Sequence, residues 1–274
     1  MREYYVLKNQ SHDPDTPTYM EALSGENLEE YFKAMDDKIK SFMRRDTWGI
    51  VSRKSVADHN VLPGKSPLTC KRKPDCTTRK FKALYCVRGY TQKILSPYPL
   101  NSYSPVVQWA TLRLMLILQC IIGLQSQSIE FTDYFAQADI QIGEPIFIEI
   151  PRDFKSNGGQ GDVFLIFKES LYGQAEAARL WYEKFRNGLL ECVFVMRKVD
   201  PCLFMSKTVI CVVYADDCLF WARSQSEIDN LMKSFKEDGN IYNWEHSKGE
   251  SVSEFLCIDI KTLYDSRFQF FKLY

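Results

Sequence analysis

Two aspartates, Asp216 and Asp217, interrupt a stretch that is otherwise apolar. Thr208-Val-Ile-Cys-Val-Val-Tyr-Ala precedes them and Cys218-Leu-Phe-Trp-Ala follows. β-Branched and aromatic residues on both sides favour strands, so the pair is predicted at the crest of a hairpin. Adjacent carboxylates repel one another and lose hydration energy in an apolar setting. A divalent cation relieves both effects, and hard oxygen donors suit Mg²⁺ or Mn²⁺. A solvated turn is the plain alternative, because Asp is common in turns.

With 274 residues the chain can form one large domain or two subdomains. Lys plus Arg and Asp plus Glu are 35 each, so net charge does not point to a polyanion. The distribution says more: nine Lys or Arg lie between Lys65 and Lys93, against Asp75 alone. Such a block can track phosphates, or can be a solvated hairpin. Nine cysteines without a Cys-x-x-Cys pair, and only three histidines, argue against zinc and against a disulfide framework. A reducing, intracellular setting is expected. Met1-Arg-Glu-Tyr-Tyr lacks the apolar core of a signal peptide. The apolar stretch 110–124 is too short to span a bilayer and carries Arg113 and Gln119. It reads as a buried helix, and no membrane partner is expected.

Residues 1–17 read as a loose lead-in, 18–125 as an N-terminal helix with a basic hairpin, and 126–274 as a second region. Leu28, Tyr31, Phe32, Met35, Ile39 and Phe42 recur at three- and four-residue spacing, which predicts one helix over 21–43. Strands are predicted at 48–51, 68–92 (broken by a turn near 74–77), 128–132, 146–150, 163–167 and 254–262. Further helices are predicted at 175–190 and 227–237, and a turn at Gly158-Gly159-Gln160-Gly161. This order suggests an α+β fold, an antiparallel sheet with helices packed on one face.

The ordered motifs resemble the reverse transcriptase domain of copia-type retrotransposons over about residues 17–274. The resemblance is carried by Thr47-Trp48, Phe81-Lys82-Ala83 with Arg88-Gly89-Tyr90-Thr91-Gln92, and Ser104-Pro105-Val106-Val107. It continues through Leu171-Tyr172-Gly173, Arg179-Leu180-Trp181-Tyr182, Asp200-Pro201-Cys202-Leu203-Phe204, Tyr214-Ala215-Asp216-Asp217 and Phe255-Leu256-Cys257-Ile258. Each is weak alone; the series in order is specific. It implies a right-hand polymerase with fingers and palm, the thumb largely absent, and the remainder of a retrotransposon polyprotein expected elsewhere. RNA or DNA template with primer, dNTP, and Mg²⁺ or Mn²⁺ would be its partners. A cytoplasmic virus-like particle would be its setting.

By the same resemblance, Glu130, Asp216 and Asp217 form the catalytic acidic set, with the Phe131 carbonyl joining them as a metal ligand. Phe135 falls at the gate that would exclude a 2′-hydroxyl, and Lys80, Lys82, Tyr172 and Gly173 would bind the nucleotide. Glu130 departs from the expected aspartate and adds one methylene. Asp133 could compensate, or could be a turn or cap residue. Leu84 replaces an arginine that would grip a triphosphate. Ala178 and Cys257 replace a proline and a glycine. These departures leave open a decayed remnant that at most binds nucleic acid. A metal-dependent phosphatase or nuclease would explain the acidic pair but not the Leu-Tyr-Gly and Trp-Tyr blocks.

Overall fold

The computed structural model describes residues 13–44, 48–56, 59, 61–73, 75–91, 102–131, 133–138, 146–149, 163–167, 169–235, 254–255, 258–264 and 269–273. The expected glycine-rich turn at 158–161 lies outside them. Along the chain run α1 (Tyr19–Ser24), α2 (Leu28–Arg44), β1 (Trp48–Ser52), β2 (Val61–Leu62), β3 (Gly64–Lys65), β4 (Leu68–Arg72), β5 (Thr78–Ala83) and β6 (Cys86–Val87). Then come α3 (Trp109–Ile122), β7 (Gln125–Glu130), β8 (Ile146–Glu149), β9 (Val163–Phe167), α4 (Ala177–Glu191), β10 (Val195–Met196) and β11 (Leu203–Met205). The series ends with β12 (Val209–Tyr214), β13 (Asp217–Ala222), α5 (Gln225–Ser234), β14 (Glu254–Phe255), β15 (Ile258–Tyr264) and β16 (Gln269–Leu273).

Two compact units result, and their boundaries differ from the expected ones. The first takes Met1–Leu95 and Ile142–Gln174; the second takes Ser96–Gln141 and Ala175–Tyr274. Strand pairing explains the first exchange, because β8 and β9 join β1 and β2 in the sheet order β1-β9-β8-β2. Side-chain bonding explains the second, because α3 is fastened to the acidic hairpin's own sheet, as described below.

In the first unit the single predicted helix is two. Thr18 and Glu21 form a capping box at the start of α1, and Gly25 ends it. α2 buries Tyr31, Met35 and Phe42. Its Tyr31 ring meets Phe81 of β5 edge to face at 4.8 Å. β4 and β5 form the predicted antiparallel hairpin. The β2–β8 pair is parallel, so this unit's sheet is mixed. Asp13–Pro17, expected to be loose, is tied down: Asp15 accepts from Arg72 Nε at 2.8 Å, and its carbonyl accepts from the Cys70 N–H at 2.7 Å. The Asp15 carboxyl is held below its ordinary pKa by the Arg72 hydrogen bond.

In the second unit a fully antiparallel sheet runs β10-β11-β12-β13-β7. Cys218, Leu219, Phe220, Trp221 and Ala222 are all buried. Successive strand residues face opposite sides. The sheet expected to carry helices on one face is therefore covered on both along β13. Trp221 Nε1 donates to Gln119 Oε1 of α3 at 2.7 Å. Asp200, fully buried, bonds the start of α3: Oδ2 accepts from the Gln108 N–H at 3.0 Å and the Thr111 hydroxyl at 2.6 Å, while Oδ1 accepts from the Cys202 N–H at 2.9 Å. A carboxylate at a helix N-terminus also meets the positive end of the helix dipole. α3 is only half the buried helix expected, because Leu114, Ile117 and Ile121 on its outer stripe are each more than half exposed.

β7 begins three residues earlier than predicted. Gln125-Ser126-Gln127-Ser128 has loop composition, yet it pairs in unbroken register with Leu219–Ala222 of β13. The eight described cysteines are free thiols. Among the described residues no helix is long and apolar enough to cross a membrane. Asp200→Ala should lower the unfolding free energy by about 3 kcal/mol, since three donors in the interior lose a charged acceptor. Asp200→Asn should cost less, and urea denaturation of the three proteins reads the difference.

Candidate active site

Antiparallel pairing sets the geometry of the acidic residues. Tyr214 is paired with Asp217, leaving Ala215 and Asp216 as a two-residue tip. Such a tip needs positive φ at its first residue, and Ala215 supplies it at φ 54°. A non-glycine residue held there costs about 1 kcal/mol or more. Asp217 is also paired with Glu130 of β7. Directly opposed residues project to the same face with Cβ atoms roughly 5 Å apart. The Phe131 N–H, next after Glu130, donates to the Asp216 carbonyl at 2.9 Å. Glu130, Asp216 and Asp217 thus gather at one end of one sheet, Glu130 exposed and both aspartates half-buried.

Their side chains do not close into a ready-made cage. Among the described residues no three His, Cys, Asp or Glu side chains are grouped closely enough to hold an ion.

Beneath the tip lies an aromatic floor that sequence reading had not assembled. Phe131, fully buried, sits 5.5 Å from Trp181 and 5.0 Å from Phe185. Tyr134 lies 5.7 Å from Trp181 and 4.0 Å from Phe135. Burial first, then the charges of Asp216 and Asp217, push the Tyr134 hydroxyl far above its ordinary pKa, so it stays protonated beside them. Phe135, the expected gate, is half-buried on a 3₁₀ turn, Tyr134–Gln137, and packs against the core. Asp133 precedes that turn at φ 50° with no side-chain capping bond. Trp181 Nε1 donates to the Ala215 carbonyl at 2.8 Å. The family resemblance had singled out this tryptophan without a task for it.

The other expected residues belong to the first unit. Lys80 is exposed and Lys82 half-buried on β5; they are paired with Lys71 and Thr69. Lys71, Lys80 and Lys82 therefore share one face of the hairpin, opposite the face of Phe81 and Ala83. Like charges placed directly across a pair destabilise it, so this face suits an anion. Tyr172 has the Lys38 ammonium 5.3 Å from its ring centre, and its carbonyl accepts from the Val87 N–H at 2.8 Å. Gly173 has φ 91°, and a Cβ there would overlap the Val87 carbonyl oxygen. A Cβ on Gly89 would overlap the Gly173 carbonyl oxygen. The Leu-Tyr-Gly and Arg-Gly-Tyr motifs, far apart in sequence, are thus packed backbone to backbone. A cleft of about 810 Å³ in this unit is lined by residues 16–19 and 63–69 with Tyr85, Arg88 and Glu149, and by none of the expected site residues. Gly173→Ala should destabilise the protein by about 2 kcal/mol or more, through positive φ and overlap together. Urea denaturation monitored by tryptophan fluorescence measures it.

Comparison with known proteins gives this geometry a context. A family profile described as reverse transcriptase (RNA-dependent DNA polymerase) matches residues 45–266. The retrovirus-related Pol polyprotein from transposon TNT 1-94 of Nicotiana tabacum is 28% identical over 247 residues, covering 84% of this chain and 18% of that protein. The Pol polyprotein from transposon RE1 of Arabidopsis thaliana is 24% identical over 264 residues, covering 94% of this chain and 17% of that protein. The transposon Ty1-ER2 Gag-Pol polyprotein of Saccharomyces cerevisiae is 24% identical over 246 residues, covering 85% and 13%. The chain spans less than a fifth of the length of these relatives. With most of its length matched by the profile, the chain belongs to the reverse transcriptase family, as a domain of the copia type.

Proposed function

We propose that the chain acts as an RNA-directed DNA polymerase, with Glu130, Asp216 and Asp217 holding Mg²⁺ or Mn²⁺. The observation that carries this reading is the strand register, which sets Glu130 across from Asp217 beside the Asp216 tip. The donor set fits such an ion. All three groups are hard oxygen ligands, and Mg²⁺ is commonly bound by one or two carboxylates plus substrate phosphates rather than by a closed protein cage. Such cations, when bound, would lower the pKa of an attacking hydroxyl and stabilise the departing pyrophosphate.

Each residue's part follows from its chemistry. Asp217 and Glu130 present carboxylates from two strands, Asp216 presents a third from the tip, and the Phe131 carbonyl adds an oxygen. The Phe135 ring serves as the barrier against a 2′-hydroxyl, the group that separates ribose from deoxyribose. The protonated Tyr134 hydroxyl offers a hydrogen bond to the carboxylates beside it. In the first unit Lys80 and Lys82, with Lys71, bind phosphates as point charges. Tyr172 and Gly173 are assigned to nucleotide binding by family likeness, beyond the packing roles described above. A primed RNA or DNA template and dNTP are the substrates of this reading. By family likeness its setting is a cytoplasmic virus-like particle, with the remainder of a Pol polyprotein as its partner.

A second reading rests on Glu130 itself. The extra methylene moves the carboxylate by about 1 Å, and a misplacement of that size can cost about 100-fold in rate. With Leu84 in the place of an arginine, the domain would bind a duplex without extending it. Primer extension on poly(rA)/oligo(dT) with Mg²⁺ and with Mn²⁺ separates the two. The polymerase reading expects incorporation that falls at least about 100-fold in Asp216→Ala and rises in Glu130→Asp. Salt-dependent duplex binding with no incorporation above Asp216→Ala would leave the binding remnant instead. In the same binding assay Lys80→Ala and Lys82→Ala should each reduce the salt slope by about one.

A further inference from the structure

Two hydrogen bonds from outside the hairpin fix the acidic tip. The Trp181 indole N–H holds the Ala215 carbonyl at 2.8 Å, and the Phe131 N–H holds the Asp216 carbonyl at 2.9 Å. These carbonyls belong to the two successive peptide planes that flank the Asp216 Cα. Planar peptides leave only φ and ψ free between them, so anchoring both planes fixes the backbone at Asp216 and with it the direction of the Cα–Cβ bond. In a two-residue hairpin the carbonyl of the first tip residue has no partner in the ladder. Without an outside donor the plane between Ala215 and Asp216 would be free to rotate away from the strained φ of 54°.

Trp181 is built to be that donor. It is 1% exposed, and its ring is wedged among Phe131, Phe185 and Tyr134 at centre distances of 5.5, 5.6 and 5.7 Å. An indole so enclosed cannot swing to follow the tip; the tip must follow the indole. Phe131 belongs to the same wedge, so both anchors share one rigid aromatic support. An indole N–H can only donate, which suits a backbone carbonyl.

We infer that Trp181 is a positioning residue: by holding the Ala215 carbonyl it aims the Asp216 carboxylate and so sets the divalent-cation affinity of the acidic tip. The inference rests on the reading of Asp216 as a metal ligand. The informative variant is Trp181→Phe, which keeps a large aromatic ring in the wedge and removes the N–H. Trp181→Ala removes both.

Two measurements on the full chain decide it. The first is Mn²⁺ binding by electron paramagnetic resonance, with Asp216→Ala as the reference for loss of the ligand. The second is amide hydrogen exchange of the tip in the metal-free protein. Trp181→Phe is expected to weaken Mn²⁺ binding about three- to tenfold, the worth of one neutral hydrogen bond. It should speed exchange at Phe131 and Asp217 while leaving exchange in α4 unchanged. A pure packing role would spare Trp181→Phe and show only in Trp181→Ala. Binding and tip exchange equal to wild type in Trp181→Phe would therefore overturn the inference. Wild-type Mn²⁺ binding no tighter than that of Asp216→Ala would overturn the metal-ligand reading and the affinity claim with it. Faster tip exchange in Trp181→Phe would still establish the hold on the turn in that case.

Discussion

The pairing of β7 with β13 is the constraint on which the site depends. Side-chain direction alternates along a strand, so a slip of one residue would send Glu130 to the opposite face from Asp217. Burial prevents the slip. Ile129 is paired with Cys218 and both are buried, whereas Glu130 and Asp217 take the neighbouring pair at the open end. A shifted register would move a carboxylate into the place of Ile129 and expose an isoleucine. The bond from the Phe131 N–H to the Asp216 carbonyl extends the pairing one step past the last ladder pair. The apolar core thus dictates the placement of the charges at its edge.

Strain and repulsion concentrate at the same few residues. Ala215 is held at positive φ, Asp216 and Asp217 are adjacent acids, and Glu130 adds a third negative group across the sheet. None of these features favours folding. They persist because the surrounding structure over-determines them. β13 is buried from Cys218 to Ala222, and the floor of Phe131, Trp181 and Phe185 is nearly inaccessible to solvent. Asp200 shows a contrasting use of the same side chain. Its charge is buried, but three donors surround it, so it fastens α3 instead of seeking a cation.

Much of this was legible in the residues. The hairpin around Asp216 and Asp217 reads directly from β-branched and aromatic composition, and the basic hairpin from its charges. Those signals are local, and so is what they report. Pairings across long stretches of sequence were not legible. Nothing in Gln125–Ser128 announces a strand, because its partner β13 supplies the order that its own composition lacks. Asp200 and Thr111, Trp181 and Ala215, and Gly89 and Gly173 are linked only once the chain has folded. The break between α1 and α2 escaped because the periodic apolar residues begin only at Leu28, after it, although Gly25 marked the place. Tyr134 carried no signal of its own, since spacing from Glu130 cannot show that its hydroxyl feels the charges of the aspartates.

The residues that hold the fold and those that would perform chemistry are largely different sets, and this separates membership from activity. Family likeness is carried by positions such as Trp181, Tyr182 and Asp200, whose side chains are buried and bonded within the second unit. Glu130 is exposed at the end of its strand. Exchanging Asp for Glu there removes no core contact and leaves the backbone pairing with Asp217 intact. Folding free energy is therefore nearly indifferent to the exchange, whereas an ion that demands octahedral geometry is not. A chain can keep the whole scaffold while its carboxylates drift out of range, so the decisive quantity is cation affinity at the tip rather than stability. Under the proposed reading that quantity follows where Asp216 points, and the bond from Trp181 to the Ala215 carbonyl is the contact by which the aromatic floor would set it.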